Sequence, residues 1–236
     1  MQTVVLCGGK GTRLGPAFEN VPKPLLPVGD HPILWHILKI YEAQGFRDFL
    51  LCVGHQGEQF VDYFADPPAS ARAWNVHVLD TGLETPTGGR IKLCEELVEG
   101  DEFFATYGDG LANVDLGALL RFHRSHGRAA TLTAARPRSS FGIVRVGDEG
   151  RVTAFEEKPV VPDWVNGGFF VFSRRVFEYL DEDSTLEREP FERLVADGEL
   201  MAFPHHGFWA CMDTYKDNLR LNELWEHGAA PWKAWA

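Results

Sequence analysis

Thr3-Val4-Val5-Leu6-Cys7-Gly8-Gly9-Lys10-Gly11-Thr12-Arg13-Leu14 starts as a β-branched, apolar run and breaks abruptly into glycine. The run predicts a buried first strand over Thr3 to Val5. Glycine lets backbone pass close to a bulky ligand and take up positive φ, so successive N–H groups can turn toward an anion. Arg13 and, one loop length on, Lys23-Pro24 add fixed positive charge beside those amides, with Lys10 as a further cation. A loop of this make-up suits a polyphosphate. A glycine-rich turn after a strand is also the ordinary shape of a tight βα connection; the company of Thr12, Arg13 and Lys23-Pro24 is what favours a site.

Spacing excludes two other phosphate loops. The Walker A pattern needs Ser or Thr after Gly-Lys, and here Gly9-Lys10 is followed by Gly11. The dinucleotide fingerprint needs a third glycine where this chain has Leu14.

With 236 residues, 44% of them hydrophobic, the chain can bury a full core as one α/β domain. Its net charge of −11 and the lack of any basic block argue against nucleic acid as a partner. The four cysteines, Cys7, Cys52, Cys94 and Cys211, are far apart and form no CxxC pair, which reads as a reduced, cytoplasmic protein. No stretch approaches a signal peptide or a membrane span, so no membrane partner is expected.

Beyond the glycine loop, strand and helix patterns alternate. Apolar residues at Ile33, Leu34, Ile37, Leu38 and Tyr41 mark a helix that should stop at Gly45. Asp48–Val53, Trp74–Leu79 and Glu102–Tyr107 read as strands, Gly57–Phe64 and Leu116–His126 as helices. A glycine-threonine loop, Thr85 to Arg90, should open a helix running to Leu97. The alternation predicts a mostly parallel, Rossmann-like sheet sandwiched by helices. In such sheets ligands gather beyond the carboxyl ends of the strands, so Gly8–Arg13, Thr87–Arg90 and Asp109 should meet on one rim.

After about residue 127 the pattern changes. Ala130–Ala135 and an apolar run after Asn166-Gly167-Gly168 read as strands. Gly142–Val146 and Val152–Glu156 form a hairpin across Gly147-Asp148-Glu149-Gly150. Short helices around 176–180 and 190–197 and a final helix to Glu226 complete a small added β-hairpin and C-terminal helical region. The nucleotide-binding half is placed at about 1–127 and the other half at 128–236.

Asp109, between two glycines after a strand, is either a turn aspartate or a ligand for a divalent cation. Asp213 has the same ambiguity, and the two together would make half of an octahedral Mg²⁺ shell. Lys158, beside Glu157 and held by Pro159, reads by default as an exposed hairpin lysine, and Asn166-Gly167-Gly168 equally as a plain turn. His123 and His126 share a helix face without a third ligand nearby in sequence. No serine or cysteine sits in a nucleophile elbow.

Taken together, Gly8–Leu14, Lys23-Pro24, Pro32–Ile37, Asp80-Thr81-Gly82, Thr87–Arg90, Thr106–Gly110, Glu157-Lys158-Pro159, Asn166–Val171, Gly207-Phe208-Trp209, Met212-Asp213-Thr214 and the tail Ala230–Lys233 resemble the sugar-1-phosphate nucleotidylyltransferases, most closely their cytidylyltransferase branch. The resemblance implies transfer of CMP from CTP, or another nucleotide from its triphosphate, to a sugar 1-phosphate such as α-D-glucose 1-phosphate, with Mg²⁺ as cofactor. It assigns nucleotide binding to Leu6, Gly8, Gly9, Gly11, Thr12, Arg13, Lys23, Thr87, Gly88 and Gly89, with Arg13 and Lys23 acting in catalysis. It assigns the sugar phosphate to Gly142, Glu157, Lys158 and Asn166, and the metal to Asp109 and Asp213. It also implies a homo-oligomer. This chain departs from the branch by having Val21-Pro22-Lys23-Pro24 in place of Lys-Pro-Lys-Pro, and by a shorter segment, Asp66 to Ala73, between the second helix and third strand.

Overall fold

The structure, a computed structural model, describes residues 1–9, 11 and 20–235. Seven strands form the main sheet: β1 (Gln2–Leu6), β2 (Asp48–Val53), β3 (Asn75–Asp80), β4 (Glu102–Tyr107), β5 (Ala130–Ala135), β6 (Val165–Ser173) and β7 (Leu200–Pro204), in the order β3-β2-β1-β4-β6-β5-β7. β1 lies parallel to both neighbours, with Leu6 opposite Cys52 on one side and Tyr107 on the other. Among the described residues six α-helices accompany the sheet: α1 (Ile33–Glu42), α2 (Glu58–Ala65), α3 (Thr87–Lys92), α4 (Leu116–His126), α5 (Glu189–Ala196) and α6 (Tyr215–Glu226).

Strand alternation sends side chains to two layers. Val5, Phe49, Leu51, Phe104, Phe169 and Val171 pack with α1, α4, α6 and the C-terminal tail. Val4, Leu50, Phe103, Phe170 and Phe172 pack with α3, the 3₁₀ turns at Arg174–Tyr179 and α5. Helix ends follow local chemistry. Asp115 Oδ1 accepts the Ala118 N–H at 2.7 Å to start α4, and Gly127 at φ +61° ends it. Gly45 at φ +93° follows α1 as its sequence predicts.

One strand of this mostly parallel sheet runs opposite to the rest. β6 is antiparallel to both β4 and β5. Its first residues therefore sit at the edge where the parallel strands end, and that reversal brings Asn166 to the rim. The hairpin of Ile143–Val146 and Val152–Glu156 grows from the same edge, between β5 and β6. α3 also begins earlier than its glycines suggest, at Thr87, and ends at Lys92 where the sequence pattern runs to Leu97. No described helix is long and apolar enough to cross a membrane.

The tail is clamped onto α1. Trp232, fully buried, donates its indole N–H to His36 Nδ1 at 3.3 Å, and His36 Nε2 lies 2.8 Å from the Val28 carbonyl. An indole only donates, so Nδ1 must accept and Nε2 must carry the hydrogen. The ring is therefore neutral, and burial holds its pKa down to about 4. An unfolded histidine titrates near 6.5, so between those values the unfolded chain binds the proton more readily. This contribution is complete above about pH 6.5 and is lost as pH falls toward 4; it amounts to roughly 2–3 kcal/mol. Denaturant melts at pH 7 and pH 4.5 should show the loss. A His36→Gln variant, less stable at pH 7, should lose less on acidification; an identical pH dependence in both proteins would contradict this account.

Candidate active site

The parallel strands end at a cavity of about 680 Å³ lined by Leu6, Cys7, Gly8, Gly9 and Gly11 from the first loop, by Leu83 to Thr87 and Arg90, by Tyr107 to Asp109, and by Lys23, Glu187, Cys211 and Asp213. The three segments expected on one rim therefore do meet there, as far as the described residues reach. Thr12 and Arg13 lie outside the described residues.

The floor is charged. Lys23 Nζ sits 2.6 Å from Asp109 Oδ2 and 2.6 Å from Asp213 Oδ1. Asp109 follows β4 through Gly108. A Cβ on Gly108 would meet the Pro24 ring at 2.9 Å and the Leu6 carbonyl at 3.0 Å, so only glycine fits between them. Asp213 arrives from the far end of the chain. The strand Trp209–Cys211 pairs antiparallel with Gly110–Ala112, and Met212 N–H donates to the Asp109 carbonyl at 2.9 Å. A capping box at Thr214 and Asp217 then starts α6 directly behind Asp213. Two anchored elements thus hold the carboxylates face to face. Burial alone would lower the Lys23 pKa, but the Asp109 and Asp213 carboxylates outweigh it and raise it, so Lys23 stays charged.

The donor set fits a hard divalent cation. Oxygens of Asp109 and Asp213 lie within 4.8 Å of each other, and the Lys23 ammonium offsets only one of their two negative charges. Carboxylate oxygens of this kind are ligands for Mg²⁺, which completes its shell with phosphate and water.

Beneath the glycine loop lies Arg90, which sequence reasoning quotes as part of a motif without giving it a role. Its buried guanidinium donates to the carbonyls of Val53 (3.0 Å), Gly8 (3.1 Å) and Leu83 (3.4 Å) and to the Thr81 hydroxyl. A Cβ on Gly8 would lie 2.1 Å from Arg90 Nη1, so the glycine at this position is what lets the guanidinium pass under the loop. Burial lowers the pKa of Arg90, without discharging a guanidinium.

Opposite this floor, Glu187 joins two walls. It accepts from the Tyr107 hydroxyl and from Thr87 Oγ1, the latter at 2.7 Å, while Asn166 Nδ2 donates to the Tyr107 oxygen at 3.0 Å. Burial, then the nearby Glu187 charge, raises the Tyr107 pKa and keeps the phenol protonated. Glu187 has no local signature, because its partners are far away in sequence.

Other predicted residues are placed differently. Thr87 lines the cavity, but Gly88 and Gly89 are buried in the first turn of α3 against segment 182–186. A Cβ would lie 2.7 Å from the Ser184 carbonyl at Gly88 and 1.9 Å from the Glu182 carbonyl at Gly89. Gly142, Glu157 and Lys158 stand on the hairpin arm outside the cavity lining. Lys158, half exposed at φ +47°, lies 3.4 Å from Glu157.

Comparison with known proteins agrees with this architecture. Residues 2–225 match the family model described as nucleotidyl transferase. Glucose-1-phosphate cytidylyltransferase of Salmonella typhi is 43% identical, with 100% of both chains aligned. Mannose-1-phosphate guanylyltransferase of Mycobacterium tuberculosis is 35% identical over 98% of this chain and 66% of that protein. In fold, the crystal structure of HddC from Yersinia pseudotuberculosis superposes with a TM-score of 0.74 at 21% identity, covering 95% of this chain and 99% of that one. With a family match over nearly its whole length and a relative of this identity aligned end to end, the chain belongs to the nucleotidyl transferase family.

Proposed function

We propose that this protein transfers a nucleotidyl group from a nucleoside triphosphate, CTP foremost, to a sugar 1-phosphate, α-D-glucose 1-phosphate foremost, releasing pyrophosphate. The observation that carries the reading is the meeting of Gly8, Gly9 and Gly11 with Lys23, Asp109 and Asp213 around one cavity. The relative aligned end to end is a glucose-1-phosphate cytidylyltransferase, which supports the choice of base and sugar. The 35% identical guanylyltransferase marks GTP with mannose 1-phosphate as the second pair to test.

The chemistry demands that two anions touch. An oxygen of the sugar phosphate attacks the α-phosphorus in line, the bond to the β-phosphate oxygen breaks, and pyrophosphate leaves with that electron pair. No side-chain nucleophile is needed; alignment and charge cancellation are. The glycine-loop amides cradle the triphosphate, and Lys23 faces it once the carboxylates are otherwise neutralised. Asp109 and Asp213 would hold Mg²⁺, which supplies positive charge to the reacting phosphates. The sugar end is assigned to the side where Asn166 meets Tyr107, with Glu157 and Lys158 on the adjacent arm as its contacts to the sugar phosphate. The test is a pyrophosphate-release assay crossing CTP, UTP, dTTP and GTP with a panel of sugar 1-phosphates. CTP with glucose 1-phosphate should give the highest kcat/KM; no turnover with CTP would refute the base assignment.

Lys158→Ala should raise KM for the sugar phosphate about tenfold or more while leaving that for the nucleotide nearly unchanged, as loss of one charge-assisted contact predicts. An effect confined to the nucleotide would refute the role. Self-association belongs to the same reading. The hairpin arm exposes Phe141 (78%), Phe155 (65%) and Val146 (66%), an apolar surface suited to a second copy. Sedimentation should find a multimer that Phe155→Asp weakens.

A further inference from the structure

Just past the ends of β5, β6 and β7, a cation stands on an aromatic ring. The Arg136 guanidinium lies 4.3 Å from the centroid of the Trp164 indole, and the His206 ring meets the same indole edge-on at 5.3 Å. Arg136 follows Ala135 and Trp164 precedes Val165, the two residues that pair at this end of β5 and β6; His206 comes two residues after Pro204, which pairs with Ala134. Three strands therefore bring together side chains that are distant in sequence. All three are exposed, Trp164 by 39%. This tryptophan does not fill the core; it holds an arginine in place. Among the described residues no carboxylate lies within ion-pair distance of Arg136, whereas Arg128 and Arg175 both close on Glu199.

The place of this platform gives it a use. Trp164 stands two residues before Asn166, whose side chain reaches the Tyr107 hydroxyl. Alternation sends residues two apart to one side of a sheet, about 6.5 Å from each other along the strand. The platform thus borders the sugar end of the cavity on its outer side. Arg138 donates to the Lys158 carbonyl at 3.5 Å and ties the root of the arm to the same edge. Arg136, Arg138 and Lys158 therefore gather here in a chain of net charge −11. Stacking uses the face of a guanidinium and leaves its in-plane N–H groups available, already ordered, for a carboxylate or phosphate. We infer that Arg136, held by Trp164 and His206, is a specificity-determining residue that accepts a second anionic group, a carboxylate or a phosphate, on the ring of a sugar 1-phosphate. The inference rests on the reading of this cavity as a sugar 1-phosphate site. Neutral sugars bind through the remaining contacts, so the protein takes both kinds, and the platform sets how well the acidic ones compete.

The experiment compares glucose 1-phosphate, glucuronic acid 1-phosphate and glucose 1,6-bisphosphate by initial rates, with the nucleoside triphosphate that turns over fastest, and by calorimetric titration into the protein. Wild type should turn over at least one acidic substrate with a kcat/KM within about tenfold of that for glucose 1-phosphate. Arg136→Ala should lower kcat/KM for that acidic substrate about tenfold or more, through KM, while changing the value for glucose 1-phosphate less than about twofold. Trp164→Leu should show a weaker form of the same loss, and Arg136→Lys should keep part of the preference. The substrate that responds identifies the group, carboxylate or phosphate. Rejection of both acidic substrates by wild type, or an equal effect of Arg136→Ala on acidic and neutral sugars, overturns the inference. If Trp164→Leu does not fold, Arg136→Ala and Arg136→Gln decide. The two readings fail separately: if no sugar 1-phosphate releases pyrophosphate, nucleotidyl transfer falls while the calorimetric difference between wild type and Arg136→Ala still reports on the platform; if glucose 1-phosphate turns over without any preference that depends on Arg136, only the platform falls.

Discussion

Asp109→Asn should cut turnover by about 10³-fold or more, the scale of losing a pre-organised charge contact at a reacting phosphate. The substitution keeps shape and removes one negative charge from the floor of the cavity. Lys23 retains its other partner, Asp213. The backbone of Asp109 still accepts from Met212, so the strand pairing behind it is unaffected. The melting temperature should therefore change little while kcat collapses, and excess Mg²⁺ should restore only a part. Near-full activity with Mg²⁺ would remove Asp109 from the metal site; loss of the fold would mean that its charge holds the structure together.

Arg90→Met should be the most destabilising of the substitutions near the site, by about 2–4 kcal/mol, because it removes a buried charged donor shared by several loop oxygens, while Val53 keeps its bonds from Thr81 and Gly8 keeps only the long one from His55. The Gly8, Val53 and Thr81 oxygens would each lose their guanidinium donor. Gly8 belongs to the phosphate loop, so the same change should also raise KM for the nucleotide. Arg90→Lys should rescue little, since one ammonium cannot span carbonyls that the planar guanidinium reaches on both sides. Denaturant unfolding checks the stability, and initial-rate kinetics on the folded fraction checks the loop. A variant as stable as wild type, with unaltered nucleotide KM, would show that Arg90 merely fills space.

How far these features could be read in advance depends on how local their causes are. The strand breaking into Gly8-Gly9 and the carboxylate between Gly108 and Gly110 carry their meaning in adjacent residues, and both were legible. Parallel alternation from β1 to β4 followed from hydrophobic pattern alone. The reversal of β6 did not, because strand direction is decided by pairing with β4 and β5 rather than by the composition of 165–173. Gly88 and Gly89 misled for a related reason. Two glycines read as loop, yet here they are helical and are required because segment 182–184 leaves no room for a Cβ. Glu187, about 80 residues from Tyr107 and 100 from Thr87, could not be found by any short-range pattern. Cys211 was visible only as an isolated cysteine; its neighbours are set by a two-strand ladder joining distant segments.

The central claim is that Asp109 and Asp213 hold a divalent cation while Lys23 serves the triphosphate. Crystals grown with CTP and Mn²⁺, with the anomalous signal of manganese located, test it directly. The account predicts the peak between the two carboxylates, with the Lys23 ammonium moved away from them and onto a phosphate oxygen. A peak elsewhere, with Lys23 still bridging Asp109 and Asp213, would contradict it.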